Sequence, residues 1–325
     1  MIQLLDALSK VIDPELRRSI TELGMVERAE LINGRADIKV LLTIAGCPMR
    51  ETLTNDIQKA LGEVPEVKEI TLEYGVMNDE QRERVREIVR GGKAKEIPFA
   101  QPDSLTRVIG VSSGKGGVGK SSLTTNLAIA VAKQGFSVGI LDADVYGHSI
   151  PRLLGLIGQR PTAIDEMFIP LESYGVKCVS MEMFKPDRAD AVAYRGPILH
   201  KVLSQLLTDA YWGDLDFLFL DLPPGTGDLA ISLGQLIPGS ELIVVTTPQV
   251  AASEVAERLS QLVGAEVPVL GHVPFSQALR NGGDGGQPVV VAAESDQSAK
   301  AITKIAAKLT ARKKSLLGVP LKLNV

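Results

Sequence analysis

Hydrophobic and polar positions along the first ninety residues switch between helical and strand spacing. Helical spacing predicts helices over residues 4–12, 48–61 and 78–90, and alternation predicts strands over residues 26–32, 36–44 and 67–74. Asp13-Pro14 should end the first helix, and Asn33-Gly34 is typical of a tight hairpin turn between the first two strands. The charges of residues 78–90 indicate a solvated helix face. The pattern predicts a small α+β domain over residues 1–91.

The rest of the chain has a different pattern, in which short apolar runs are separated by longer segments with helical spacing. The predicted strands are residues 106–112, 138–141, 175–180, 217–220, 242–246 and 269–273, and the predicted helices include residues 121–134, 251–263 and 296–314. Near-continuous apolar strands indicate a parallel sheet covered on both faces. We therefore expect a doubly wound α/β domain with a mostly parallel sheet over residues 106–325, after an exposed linker over residues 92–105.

A glycine-rich run between the first of these strands and its helix has the phosphate-loop pattern. Its nucleotide-binding positions are Gly114, Lys115, Gly116, Gly117, Val118, Gly119, Lys120, Ser121 and Ser122. Glycines allow consecutive backbone N–H groups to face phosphate oxygens, and the following helix adds its positive end. We expect Lys120, as an exposed loop lysine, to reach the β- and γ-phosphates, and the Ser121 hydroxyl to bind Mg²⁺. The alternative is a glycine-rich turn without a ligand.

A second lysine, Lys115, follows the first glycine of the loop. Folding back into its own site would crowd Lys120, so Lys115 is better placed to reach the nucleotide of a second copy. We therefore expect a homodimer in which Lys115 is catalytic together with Lys120.

Aspartates follow two of the predicted strands, and ligands of such sheets bind where the strands end. Asp221 is a candidate Mg²⁺ ligand with Ser121, and Asp142 is a candidate to support the same ion. Asp144 is the candidate to orient the attacking water, which predicts hydrolysis of a nucleoside triphosphate. The alternative for each strand-end aspartate is a helix cap.

Composition narrows the possible partners. A net charge of −4 and a pI near 5.6 argue against a general nucleic-acid binder. The sequence contains no run of eighteen or more apolar residues, so we expect no segment that spans a membrane. The start of the chain does not have the pattern of a signal peptide, so a cytoplasmic location is expected. Of the two cysteines, Cys178 lies in an apolar strand and is expected to be buried and inert. Cys47 precedes a predicted helix, where it is either a reactive or iron-binding thiol or a small capping residue.

Several runs together resemble the Mrp/ApbC iron–sulfur cluster carrier ATPases, of the MinD/ParA-like class with a deviant phosphate loop. They are residues 115–121, 142–147, 195–197, 221–228, 246–249 and 282–284, with Asp13-Pro14-Glu15 and residues 43–48 similar to a small iron–sulfur assembly domain. The resemblance covers nearly the whole chain. It implies a slow ATPase that binds ATP and Mg²⁺, a homodimer closing over two nucleotides, and delivery of [4Fe–4S] clusters to apoproteins.

The chain departs from that family in two places. Many members carry a Cys-x-x-Cys pair after the Thr-Thr-Pro-Gln strand, so that two subunits supply the four thiolates of a bridging cluster, and this chain has no such pair. The family also places a strand ending in an adenine-recognising Asn there, and nothing between Ala251 and Val267 matches it. Since losing an internal strand exposes ladder edges, we favour the interpretation that a segment is missing at this point.

Three functions are consistent with these sequence features. The leading one is an ATP-hydrolysing iron–sulfur carrier or scaffold with apoprotein clients and no nucleic-acid or membrane partner. The alternatives are a MinD/ParA-like positioning ATPase, which would need a basic surface or an amphipathic membrane helix, and a nucleotide-switched adaptor without a cluster.

Overall fold

The computed structural model of the protein describes residues 2–43, 49–90, 96–144, 147, 149–164, 166–184, 196–225, 228–248 and 268–311. The chain forms two compact units. The first comprises Met1–Lys95 and Thr162–Ile169, and the second comprises Glu96–Pro161 and Pro170–Val325. The chain therefore enters the first unit twice, the second time as a short hairpin.

The first unit has helices on a three-stranded sheet, as the pattern of its residues predicts. Its helices are α1 (Ile2–Leu8), α2 (Arg50–Gly62) and α3 (Asp79–Arg90), and its sheet contains β1 (Val26–Ile32), β2 (Arg35–Leu42) and β3 (Glu69–Val76). Strand β2 lies in the centre, antiparallel to β1 and parallel to β3. The predicted hairpin is confirmed, since Asn33 and Gly34 have φ angles of 52° and 83°.

Alternating burial explains why these segments pack together. Helix α2 buries Leu53, Ile57 and Leu61, which recur every four residues and so share one face. Strand β2 buries every second residue from Ala36 onward, which places an apolar row on one face of the sheet.

One local prediction for this unit needs correction. Helix α1 ends at Leu8, before the predicted stop, and Ile12 instead forms an isolated bridge with Ser19. The following turn takes backbone groups that a longer helix would need, because the Val11 carbonyl accepts from Ile20 N–H at 3.0 Å and Asp13 N–H donates to the Arg18 carbonyl at 2.8 Å. Helix α3 is charged, as expected, and it also buries Val85 and Val89.

The second unit is a doubly wound α/β domain, which confirms the predicted fold class. Its strands are β4 (Arg107–Ser113), β5 (Val138–Asp142), β8 (Leu171–Ser173), β9 (Val176–Ser180), β10 (Phe217–Asp221) and β11 (Glu241–Val245), in the spatial order β11-β4-β10-β5-β9-β8. All neighbours pair in parallel except the short β8, which is antiparallel to β9. Strands β6 (Thr162–Ile164) and β7 (Met167–Ile169) are the hairpin that belongs to the first unit.

Helices pack on both faces of this sheet. The described helices of this unit are α4 (Lys120–Ala132), α5 (Ile150–Leu153), α6 (Gly196–Asp209), α7 (Asp228–Leu236), α8 (Gln277–Asp284), α9 (Val289–Ala292) and α10 (Gln297–Thr310). On one face, residues of α4 and α10 join Ile109, Ile140 and Phe219 in a single buried cluster. On the other face, a Cβ on Gly110 would meet Leu233 of α7 at 2.8 Å. Among the described residues, no helix is long and apolar enough to cross a membrane.

Three predictions for this part of the chain can be compared with the structure. Cys178 is fully buried in β9, as expected. The strand predicted over residues 269–273 is wrong, since this segment pairs with no strand in the described part of the chain and Val269 is 72% exposed. Phe99 is an exception to the exposed linker, because it is buried with its ring against Trp212. A further prediction, the helix over residues 251–263, lies outside the described residues.

Candidate nucleotide site

Strand register brings the predicted acidic residues to one edge of the sheet. Asp221, the last residue of β10, lies opposite Val111 on one side and Asp142 on the other. Asp142 is in turn opposite Ser180 of β9. Since neighbouring parallel strands are about 4.8 Å apart, two carboxylates meet next to the loop that follows β4.

The loop between β4 and α4 has the backbone that a phosphate site requires. Gly117 and Gly119 have φ angles of 79° and 86°, a region that residues with a Cβ rarely adopt. A Cβ placed on Gly116, Gly117 or Gly119 would meet no atom within 4 Å, so there is free space beside the backbone of these three glycines. Helix α4 begins at Lys120, which directs its first free N–H groups toward this space.

Lys120 is the centre of the side-chain network at this edge. It is only 6% exposed, so it is not the exposed loop lysine that the sequence suggests. Its ammonium lies 2.7 Å from Oδ1 of Asp221 and 4.0 Å from Oδ2 of Asp144. The Ser121 hydroxyl donates to Oδ2 of Asp221 at 2.5 Å. Three of the predicted site residues are therefore brought into direct contact.

Both carboxylate oxygens of Asp142 accept hydrogen bonds from nearby residues of the second unit. Its Oδ1 accepts from the backbone N–H of Asp144 at 3.2 Å, and its Oδ2 accepts from the Ser180 hydroxyl at 3.2 Å and from Ile150 N–H at 3.4 Å. These contacts fix the loop that carries Asp144. Asp142 therefore lies beside Asp221 in the sheet, with both of its oxygens already hydrogen-bonded within the second unit.

Asp144 lies in the loop after β5 and is 7% exposed. Its Oδ1 accepts from Gly147 N–H at 2.9 Å, while Oδ2 faces the Lys120 ammonium at 4.0 Å. One oxygen is therefore used to order the loop and the other points toward the phosphate loop.

Burial governs the protonation of this cluster. Desolvation raises the pKa of Asp142 well above its usual value, and the neighbouring charges of Asp221 and Asp144 raise it further. Desolvation also raises the pKa of Asp221, although Lys120, Ser121 and Thr124 oppose this rise. Two of these carboxyl groups, Asp221 and Asp144, face the single ammonium of Lys120 at 2.7 and 4.0 Å.

The remaining predicted positions are only partly placed. Gly114, Lys115, Val118 and Ser122 are half-buried, and the Lys115 carbonyl accepts from the Ser113 hydroxyl at 3.0 Å. The Cys47 prediction lies outside the described residues, as do Val145, Tyr146, Arg195, Thr226, Gly227 and Gln249 of the family-like runs.

Two hydroxyl residues of this cluster were not predicted from the sequence. Thr124 Oγ1 lies 2.9 Å from Oδ1 of Asp221, and the Ser180 hydroxyl binds Asp142. The position of Thr124 could have been predicted from the sequence, since it is four residues after Lys120 and so on the same helix face. The position of Ser180 could not have been predicted, because it depends on β9 lying beside β5.

The Asp13-Pro14-Glu15 run of the first unit forms a separate, well-defined turn. Buried Asp13 accepts from the backbone N–H groups of Glu15 and Leu16 at 3.0 and 2.7 Å. Glu15 in turn accepts from the Thr162 hydroxyl of the hairpin at 2.9 Å. The run is therefore a turn that also holds the hairpin within this unit.

Comparison with known proteins agrees with both units. Residues 104–265 match the family described as NUBPL iron-transfer P-loop NTPase, and residues 2–72 match the iron–sulfur cluster assembly protein family. An iron–sulfur cluster carrier protein of Mycobacterium bovis is 45% identical, covering 98% of this chain and 95% of that protein. A protein of the same name from Synechocystis sp. is 33% identical, covering 95% and 96%. A nucleotide-binding protein of Archaeoglobus fulgidus, solved in complex with ADP, is 27% identical with a TM-score of 0.50, covering 64% of this chain and 96% of that chain.

The relatives are longer than this chain within the aligned region. The Mycobacterium bovis alignment has 364 positions and covers 98% of 325 residues, so about 45 positions have no residue of this chain opposite them. The Synechocystis alignment, with 353 positions over 95% of the chain, gives a similar difference of about 45. Near-full-length identity above 30% nevertheless settles the relationship: the chain belongs to the family of iron–sulfur cluster carrier proteins, built on a P-loop NTPase domain.

Proposed function

We propose that this protein is an ATP-hydrolysing iron–sulfur carrier that hands iron–sulfur cargo to client apoproteins. The observation that supports this most is the meeting of Lys120, Ser121 and Asp221 beside an open glycine loop at the start of α4. Such a constellation offers donors and a positive charge to phosphates and an oxygen site to a metal.

Magnesium fits the residues of this site. Mg²⁺ is usually bound through one or two carboxylates together with phosphate oxygens, and Ser121 and Asp221 are hard oxygen donors in contact with each other. Asp142 would support Asp221 from the next strand. When bound, the ion would neutralise charge that develops on the phosphates.

Hydrolysis would use the protein's own groups as follows. Lys120 would leave Asp221 for the phosphates, and Asp144 would orient the water that attacks the γ-phosphorus while the bond to the β-phosphate oxygen breaks, giving ADP and phosphate. Lys115 would add a positive charge to the nucleotide of a second copy. We expect slow turnover because each site is then complete only in the dimer.

The cargo would be held weakly in this chain. A bridging [4Fe–4S] cluster needs four thiolates, and the chain has two cysteines. Cys178 is 0% exposed, and burial raises the pKa of its thiol well above the usual value, so it is unsuited to bind iron. Cys47 therefore carries any iron, and a dimer supplies only two such thiolates.

A membrane-positioning role has no support in the described C-terminal helix. Helix α10 buries Ile302, Ile305 and Leu309 in the core of the second unit, so this apolar face is already used. The adaptor alternative is distinguished by turnover, since an adaptor would bind ATP without hydrolysing it.

Replacing Lys120 tests the proposed function. An ATP titration with Lys120→Ala should show affinity reduced at least about a hundredfold, because hydrogen bonds to charged groups contribute about 1.5–3 kcal/mol each and the lysine reaches two phosphates. Ser121→Ala should mainly weaken the magnesium-dependent part of binding.

Folding must be checked for Lys120→Ala, since the lysine is buried against Asp221. Lys133→Ala is the matched control, because Lys133 follows the same helix but pairs with Glu294 at the surface. Wild-type ATP affinity in folded Lys120→Ala would refute the phosphate-loop assignment.

A further inference from the structure

Thr124 makes a contact at the nucleotide site that the phosphate-loop pattern does not contain. It lies in the second turn of α4, is 0% exposed, and places Oγ1 2.9 Å from Oδ1 of Asp221. The same hydroxyl is 2.9 Å from the carbonyl oxygen of Lys120. A threonine within a helix often bonds to the carbonyl four residues earlier, so only the contact with Asp221 needs a further explanation.

The proton of the hydroxyl can serve only one of these two acceptors at a time. The Lys120 carbonyl already has the backbone N–H of the helix as its partner. An ionised Asp221 has no such substitute and forms the stronger, charge-assisted bond. With the carboxylate ionised, the Thr124 proton therefore belongs to Asp221.

The other two partners of Asp221 are Lys120 and Ser121, and we expect both to bind other groups once nucleotide is present. In this structure Lys120 binds Oδ1 and Ser121 binds Oδ2. The proposed function moves Lys120 to the phosphates and Ser121 to the metal. Thr124 lies further along α4 than both residues, and the helix fixes its position. It is expected to bind neither the phosphates nor the metal, so it can stay in contact with Asp221.

We propose, on the basis of that function, that Thr124 is a positioning residue: it holds Oδ1 of Asp221 so that Oδ2 stays directed to Ser121 and the magnesium site. A carboxylate held at one oxygen loses rotational freedom before the ion arrives. Partners of this kind, one step behind a metal ligand, usually change metal affinity about 10- to 100-fold when they are removed.

The chain supplies its own control at the next position. Thr125 is also 0% exposed and on the same helix, but its hydroxyl has no hydrogen-bond partner among the described residues. Removing that hydroxyl should therefore leave the metal site unchanged.

The experiment compares Thr124→Val, Thr124→Ser and Thr125→Val in the full chain. ATP affinity is measured without metal and then at increasing Mg²⁺, and Mn²⁺ binding is followed by electron paramagnetic resonance. We expect Thr124→Val to require about 10- to 100-fold more metal with little change in metal-free ATP affinity. Thr124→Ser should return to within about twofold of wild type, and Thr125→Val should match wild type.

Two results would overturn the inference. One is a folded Thr124→Val protein with wild-type metal dependence, and the other is a loss that Thr124→Ser does not rescue. If Thr124→Val does not fold, Thr124→Ala is judged by the same two criteria. Failure of wild type to bind ATP would instead contradict the proposed function, so the two failures are distinguishable.

Discussion

At the residue scale, the polar groups that matter most in this protein are buried. Asp221, Asp142 and Lys120 are each less than a tenth exposed, and their neighbours determine what they can do. The first unit shows the same principle at Asp13. Desolvation raises the pKa of the Asp13 carboxyl, and the hydrogen bonds from Leu16 and Glu15 only partly oppose the rise.

Asp13 should make stability depend on pH. A carboxyl with a raised pKa in the folded state binds its proton more tightly there, so the free energy of unfolding falls as pH rises between the unfolded and folded pKa values. Asp13→Asn keeps an oxygen that accepts from both N–H groups but cannot ionise. Urea unfolding at a series of pH values should therefore show a smaller fall for Asp13→Asn than for wild type.

Asp13→Ala removes the charge and the hydrogen-bond acceptor together, so its comparison with Asp13→Asn isolates the hydrogen bonds. Compared with Asp13→Asn, it should lower the free energy of unfolding by about 1–2 kcal/mol at every pH, since neither variant can ionise at this position and only in Asp13→Ala do two buried N–H groups lose their acceptor. Identical pH dependence in wild type and Asp13→Asn would contradict the role of the carboxyl charge.

At the element scale, close packing explains why residues 282 and 283 of one family-like run are glycines. A Cβ on Gly282, near the end of α8, would lie 2.4 Å from the carbonyl oxygen of Gln287. The same addition at Gly283 would mainly meet the end of the Leu153 side chain at 3.0 Å. The two glycines therefore have different reasons to be small.

Alanine at these two positions should separate the reasons. Gly282→Ala must move backbone and should destabilise the protein by about 1–3 kcal/mol. Gly283→Ala should be nearly neutral, because a side chain can shift and alanine favours the helix. Thermal unfolding of both variants checks this, and equal effects would contradict it.

Local pattern predicted most elements because apolar periodicity and turn residues agree along this chain. Strand β1 and the turn at Asn33-Gly34 follow from alternation and one dipeptide. The prediction of a strand at residues 269–273 was wrong because a strand needs a neighbouring strand for its hydrogen bonds. A local sequence pattern does not show whether such a neighbour is present. The same limit hid Ser180, whereas the acidic ends of β5 and β10 were visible in the sequence.

At the scale of the whole molecule, the second unit combines the candidate nucleotide site with a partly exposed sheet edge. Among the described residues β11 is an edge strand, and its apolar residues Leu242–Val245 are only half-buried. The family match ends at residue 265, and relatives have about 45 more aligned positions than this chain fills. We propose that the missing segment lies between Ala251 and Val267, where the family-like strand and cysteine pair would stand.

Dimer formation should depend on Lys115. If its ammonium completes the site of a second copy, Lys115→Ala should retain ATP binding but lose turnover and the dimer stabilised by ATP. Sedimentation with a non-hydrolysable ATP analogue measures this directly. A Lys115→Ala protein that is fully dimeric and fully active would leave the lysine without the proposed role.

We propose that this chain retains an ATP site while it lacks the thiolates for a stable interface cluster. Iron and sulfide content after anaerobic reconstitution tests it most directly, in wild type, Cys47→Ser, Cys178→Ser and a chimera that restores the segment from a relative. We expect iron in wild type to be substoichiometric, labile and lost in Cys47→Ser, unchanged in Cys178→Ser, and stable only in the chimera. A stoichiometric [4Fe–4S] cluster that survives Cys47→Ser in the present chain would contradict the account.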